Sequence, residues 1–399
     1  MIIDGPNEMI VKTFFSRLLA VSIAGILTIS APAIGQEDTT SKPEAATKKE
    51  APADPPKYDF TIESAVDYTD VKSQGSTGTC WCFATTSFLE SELMRRGKGK
   101  HDLSEMFIVK NVYKDKAQNY VLRHGKAQFG QGALAHDMIQ GVKRGGLMPE
   151  SAFDGLDEGV DRHDHGEMES LLKGMLEAVV KRPRPTPKWP VAYASVLDTY
   201  LGSSPETFSY NDRTYTPQEF AKDLDFRAED YINITSYNHH PYYEKFVLEI
   251  PDNYSNGSFY NLPIDDLVEI IAHAVENGYS VAWDGDVSER GFSSKNGIAV
   301  LPKDEKRADL FKTPGPEKDV TQEMRQESFY SYSTTDDHLM HLAGISRDSQ
   351  GNRYFVIKNS WGEVGPYNGL LHMSEAYVRL KTVAILVHKD AIPSRLRRE

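Results

Sequence analysis

The residues at 81, 84 and 88 and at 85, 89 and 93 repeat with a period of three to four, which predicts an amphipathic helix beginning at Cys80 and ending at Gly97. Two more helices are predicted downstream, over about 104–122 and 133–144, the second stopped by Gly145-Gly146. A proline run at 183–187 forbids helix there. Residues 264–277 carry a fourth helical pattern, and the short apolar runs at 279–283, 341–345, 353–358 and 383–387 read as strands. Helices gathered in one half and strands in the other predict an α+β chain. Its helical part spans 57–180, and a small, antiparallel, barrel-like sheet lies within 263–399.

The N-terminus follows a different pattern. Lys12 and Arg17 precede a mostly apolar run at 18–29, and the small residues Ala33 and Gly35 suit cleavage after Gly35. This predicts a signal peptide over 1–35 and an exported, periplasmic or extracellular protein. The run is short for a membrane span. Met9 is an alternative start, since Asp4 and Glu8 are out of place in a positive leader. Residues 36–56, rich in Ala, Pro, Lys, Glu and Thr with no apolar period, read as a disordered linker. A net charge of −13 argues against nucleic acid or anionic membrane as partners.

The predicted helix at 80 gives the chain its chemistry. Cys80 falls at the helix N-terminus, where unpaired N–H groups and the positive end of the dipole favour a thiolate. Six residues earlier, the Gln74 amide can join the Cys80 N–H in holding the oxyanion formed when a carbonyl is attacked. A nucleophile of this kind needs a base. His338 stands at the mouth of the strand at 341–345, and Asn359 follows the strand at 353–358. Asn359 can fix one ring nitrogen of His338 and leave the other to face Cys80, with Trp361 screening the contact from water.

Gln74 through Trp81, the run from His338 to Gly344, and Asn359-Ser360-Trp361-Gly362 together resemble the papain superfamily of cysteine peptidases. Cys80 and His338 lie 258 residues apart, against roughly 130–150 in the simple papain architecture. That excess implies an inserted subdomain, placed at 181–262. The branch with such insertions is that of bleomycin hydrolase and bacterial aminopeptidase C, which the stretches at 216–220, 237–246, 261–265 and 283–287 also resemble. The resemblance implies a two-lobe papain-like fold and catalytic Cys80, His338, Asn359 and Gln74. It also implies backbone contact with substrate at Gly130 and Gly132, peptide substrates, no cofactor, no metal, and a ring hexamer as a possible homo-oligomer. Three positions depart from the pattern. Leu339 replaces a small residue, Cys82 stands where a small or apolar residue is usual, and the tail at 393–399 carries Arg395, Arg397 and Arg398. In that branch the tail enters the cleft and enforces aminopeptidase action.

The function these readings predict is peptide hydrolysis through a thiol acyl-enzyme, by an aminopeptidase in preference to an endopeptidase. A papain-fold binding protein without turnover and a Cys/His acyltransferase are the alternatives. His163, His165, His239 and His240 read as loop histidines rather than metal ligands, His341 as structural, and Asp336 and Asp337 as turn formers that could instead raise the basicity of His338 or select a positive substrate terminus.

Overall fold

The computed structural model describes residues 57–157 and 159–397; the predicted signal peptide and linker lie outside them. Strand β1 (Thr61–Ala65) leads to helix α1 (Cys80–Arg95), followed by α2 (Glu105–Leu122) and α3 (Ala135–Gly145). Ser104 caps α2 by accepting from the Phe107 N–H, and Gly97, at a φ of 71°, takes the chain out of α1. The proline run separates α4 (Gly166–Val180) from α5 (Trp189–Leu201), whose Pro190 sits in its first turn, where no N–H is needed. A hairpin, β2 (Phe208–Tyr210) and β3 (Arg213–Tyr215), precedes α6 (Pro217–Asp223). Then come β4 (Tyr231–Thr235), β5 (Lys245–Val247), β6 (Ser258–Asn261), α7 (Ile264–Glu276), β7 (Val281–Gly285), β8 (Phe292–Ser293) and β9 (Ile298–Ala299). The chain closes with α8 (Gln322–Tyr330), β10 (His338–Arg347), β11 (Arg353–Lys358), β12 (Leu370–Ser374), α9 (Glu375–Lys381) and β13 (Thr382–His388).

The sheet is larger than the sequence suggests. Eleven strands join in the order β5-β6-β4-β13-β7-β10-β11-β12-β9-β8, with β1 added along β10. Most pairings are antiparallel, but β4 with β6 and β12 with β9 run parallel. Residues 231–261, assigned with the insertion on sequence grounds, hydrogen-bond into this sheet because β4 pairs with β13 over Thr235↔Ala384 to Tyr231↔His388.

Alternation along β10 gives the sheet two faces and the protein two cores. Leu339 packs with α1, α2 and α3 in one cluster, while Met340, Leu342 and Ile345 pack with α7 in the other. Helix α1 is therefore buried along nearly its whole length and not amphipathic: residues 80–93 are all buried, Thr85, Glu90 and Glu92 included. Its polar side chains are satisfied internally. Thr85 Oγ1 donates to the Trp81 carbonyl at 2.7 Å, and Lys358 Nζ from β11 donates to Ser87 Oγ at 2.8 Å.

Candidate active site

Cys80 is the first residue of α1, so its N–H and that of Trp81 have no intrahelical acceptor. The backbone N–H groups of Leu339 and Trp81 lie near enough to the sulfur to favour its charged form. The Leu339 contact sets the thiol against the start of β10, where His338 is the preceding residue. Burial pushes the Cys80 thiol up to about 12, the two N–H donors oppose this, and the carboxyls of Asp336 and Asp284 add to it. Burial also holds the His338 imidazole down at about 4, against the stabilising hydrogen bond from Asn359. Desolvation thus works against the thiolate that the helix terminus favours.

The tautomer of His338 follows from its neighbours. Asn359 accepts the Ser360 N–H at 2.7 Å, and a backbone N–H can only donate, so the atom facing it is Oδ1. That same Oδ1 lies 2.8 Å from His338 Nε2, which must therefore carry the proton. His338 Nδ1 is left with its lone pair, as a base toward Cys80 requires. Asn359 Nδ2 donates to Ser294 Oγ at 3.3 Å, anchoring the amide from the other side. The Trp361 ring lies over the imidazole at a centroid distance of 4.7 Å, although the residue is 39% exposed.

Gln74 is held by the same logic. Its Nε2 donates to the Thr77 carbonyl at 2.6 Å, which uses one of the two N–H bonds and leaves the second for an oxyanion. Ser360 ties it to the sheet twice: Ser360 Oγ donates to Gln74 Oε1 at 2.6 Å, and the Ser360 carbonyl accepts the Gln74 N–H at 2.8 Å. Ser360 lay inside the Asn-Ser-Trp-Gly block, but sequence reasoning gave it no role. Gln131 was missed altogether. Its Oε1 accepts the Gly78 N–H at 2.7 Å and its carbonyl accepts the Trp81 indole at 2.9 Å, so residues 130–132 are sewn to the loop ahead of Cys80. Gly130 and Gly132 flank it. A Cβ on Gly132 would fall 1.9 Å from Asp252 Oδ2, so only glycine admits that carboxylate.

Other residues weighed in the sequence sit apart from this arrangement. His341 Nδ1 meets Ser87 Oγ at 2.9 Å inside the core, in a buried network with Lys358, Thr69 and Glu90. Cys82 is buried, and its sulfur donates to the Glu105 carbonyl at 3.3 Å. His239 and His240 both reach Glu249 through Nε2, at 3.2 and 2.7 Å. Gln326 Oε1 accepts the Asn238 N–H, so its Nε2 faces His239 Nδ1 as donor. His239 Nε2 then bears a proton for Glu249, which makes this a hydrogen-bonded trio and not a set of free metal-ligating lone pairs. The tail does not reach the cleft within the described residues. Ile392 and Leu396 are buried in the core built on α7, the face of the sheet opposite α1, and Arg395 pairs with Asp266 and Glu269.

Comparison with known proteins places this geometry. Residues 195–399 match the Peptidase C1-like family, and residues 55–153 match the papain family of cysteine proteases. The chain belongs to the Peptidase C1-like family. It is a cysteine-type peptidase of papain-like fold. Among curated relatives it is 24% identical to aminopeptidase W of Lactobacillus delbrueckii subsp. lactis, covering 84% of each chain. It is 23% identical to aminopeptidase C of Listeria monocytogenes, covering 84% of this chain and 83% of that one. The crystal structure of PepW from Lactobacillus rhamnosis shares the fold, with a TM-score of 0.67 at 20% identity over 84% of this chain and 83% of that one.

Proposed function

We propose that this cysteine peptidase is an exported aminopeptidase working through Cys80, His338, Asn359 and Gln74. The observation that carries the chemistry is the Asn359 carbonyl shared between the Ser360 N–H and His338 Nε2, which leaves His338 Nδ1 with its lone pair, one residue before the Leu339 backbone that lies near the Cys80 sulfur. Cys80 passes its proton to Nδ1 as sulfur attacks the peptide carbonyl, and the oxyanion takes the Cys80 N–H and the second Gln74 N–H. His338 then gives the proton to the leaving amine as the C–N bond breaks. Water, deprotonated by the same ring, splits the thioester and restores the thiol.

The aminopeptidase assignment is supported by relatives named aminopeptidase W and aminopeptidase C that align over most of both chains. The test is a pair of fluorogenic peptides, one with a free and one with an acetylated N-terminus, assayed on the full chain. Preferred cleavage of the free terminus is expected, and strong cleavage of the acetylated peptide would make the enzyme an endopeptidase.

Export rests on the apolar run at 18–29 and the small residues at 33 and 35. Among the described residues no helix is long and apolar enough to cross a membrane. N-terminal sequencing of protein recovered from the producing cell should read Gln36 first; a cytosolic chain retaining residues 9–35 would refute export.

A further inference from the structure

Gln74 can offer its second amide hydrogen to an oxyanion only while the plane of its amide is held, and the hydrogen bonds that hold it run on past the loop. Thr77 and Gly78 share one peptide unit. Its carbonyl, that of Thr77, accepts from Gln74 Nε2 at 2.6 Å, and its N–H, that of Gly78, donates to Gln131 Oε1 at 2.7 Å. A backbone N–H can only donate, so the other end of the Gln131 amide is the donor, and this Nε2 meets Glu169 Oε2 at 3.1 Å. At the opposite end of the series, Ser360 Oγ donates to Gln74 Oε1 at 2.6 Å.

Every donor in the series points the same way, from Ser360 through Gln74, the Thr77-Gly78 peptide and Gln131 to Glu169, and the series ends on a carboxylate. Amides aligned head to tail polarise one another, and a charged acceptor at the end strengthens the last bond. Glu169 has no part in the acyl-transfer steps; it is half-buried on α4, which follows α1, α2 and α3 in the chain. The start of that helix is fastened to the same loop, since the His165 N–H donates to the Ser76 carbonyl at 3.3 Å and the Ser76 N–H to the His163 carbonyl at 2.8 Å. The backbone of Gln131 is fixed separately, its carbonyl accepting the Trp81 indole, so its side chain can be altered while residues 130–132 stay attached.

We infer that Gln131 and Glu169 are positioning residues for the oxyanion site: they hold the Thr77-Gly78 peptide and, through it, the Gln74 amide, so that its second N–H faces the oxygen of the attacked carbonyl. This rests on the reading of Gln74 as an oxyanion donor and extends it to residues remote from the reacting atoms. Neither residue touches substrate in this role. Their effect is felt when negative charge gathers on the oxygen, so it falls on kcat and leaves KM nearly unchanged. Glutamine and glutamate have nearly the same shape, so exchanging one for the other changes the direction of the hydrogen bonds and not the packing.

The experiment measures kcat and KM on whichever of the free and acetylated fluorogenic peptides the wild type cleaves faster, together with the rate at which iodoacetamide alkylates Cys80. The variants are Gln74→Ala, Gln131→Ala, Gln131→Glu, and Gln131→Glu combined with Glu169→Gln. Alkylation needs a reactive thiol but builds no oxyanion, so it reports on the nucleophile alone. Gln131→Ala should lower kcat roughly ten- to a hundredfold with KM within about twofold, while alkylation keeps the wild-type rate. Gln131→Glu removes the donor and sets a second carboxylate against Glu169, so it should lose as much. Adding Glu169→Gln supplies the donor from the other side and should return kcat to within about threefold of wild type. On top of Gln74→Ala, Gln131→Ala should cost little more, because it acts through Gln74. If Gln74→Ala alone leaves kcat near wild type, the oxyanion reading falls and the positioning role with it. If Gln74→Ala lowers kcat but Gln131→Ala does not, or the double exchange stays as slow as Gln131→Glu, the positioning role is overturned while the oxyanion reading stands. Equal losses of alkylation and kcat in Gln131→Ala would also overturn it, since the side chain would then be supporting the fold around Cys80.

Discussion

Cys80→Ser should lower peptide hydrolysis by on the order of 10⁵-fold, while Cys82→Ala should leave turnover near wild type. A serine hydroxyl at the head of α1 is a far poorer proton donor and nucleophile than the thiol. Cys82 lies in the core one turn from Thr86, with its sulfur turned to the Glu105 carbonyl. Truncating it removes one buried sulfur and lowers stability by about 1–2 kcal/mol without touching the cleft. Steady-state kinetics with urea melts on both variants would separate the two effects. A dead Cys82→Ala beside an active Cys80→Ser would overturn the assignment of the nucleophile.

The second large effect belongs to the histidines. His338→Ala removes the group that both takes and returns the proton, so kcat should drop by roughly 10³-fold or more. Asn359→Ala frees the ring and unpairs the Ser360 N–H; misplacement of that kind costs up to about a hundredfold. His341→Ala should behave in the opposite way. His341 receives the Ser87 hydroxyl, which itself accepts from Lys358, so its loss leaves buried polar groups unmet at a cost of about 1–3 kcal/mol in stability. The folded fraction should turn over substrate at close to the wild-type rate. Equal losses of kcat at 338 and 341 would mean that the register pairing His338 with Gly285 and His341 with Lys358 is not the working one.

What could be read from sequence had a local cause. The period after Cys80, the Gly97 stop, the Gly145-Gly146 stop and the apolar run at 353–358 each leave a mark within one turn or one strand, and the helices and central strands lie close to where those marks put them. Gln74, Cys80, His338 and Asn359 could be named because their spacing resembles a family pattern. What could not be read depends on distant partners. Strands β5 and β6 are three and four residues long, with no clear alternation, and exist only because β4 pairs with β13 more than a hundred residues away. The period at 81–93 marks one apolar face; nothing local shows that Ser87 and Glu90 on the other face are buried too. The same burial works against a charged thiol at Cys80. Asp336 read as a turn former because turns favour aspartate, and nothing local shows that the buried Asp284 carboxyl packs against it.

The double attachment of Ser360 to Gln74 gives the two lobes a common latch. One serine on the sheet side holds the oxyanion donor with its hydroxyl and carbonyl, and its own N–H is held by the amide that steers the base. A shear of the helical half against the sheet therefore cannot loosen Gln74 and leave Asn359 in place, or the reverse. Half-assembled sites should not accumulate when the protein breathes: each molecule is either fully armed or wholly silent, and mild denaturant should reduce the number of working enzymes before it slows any one of them.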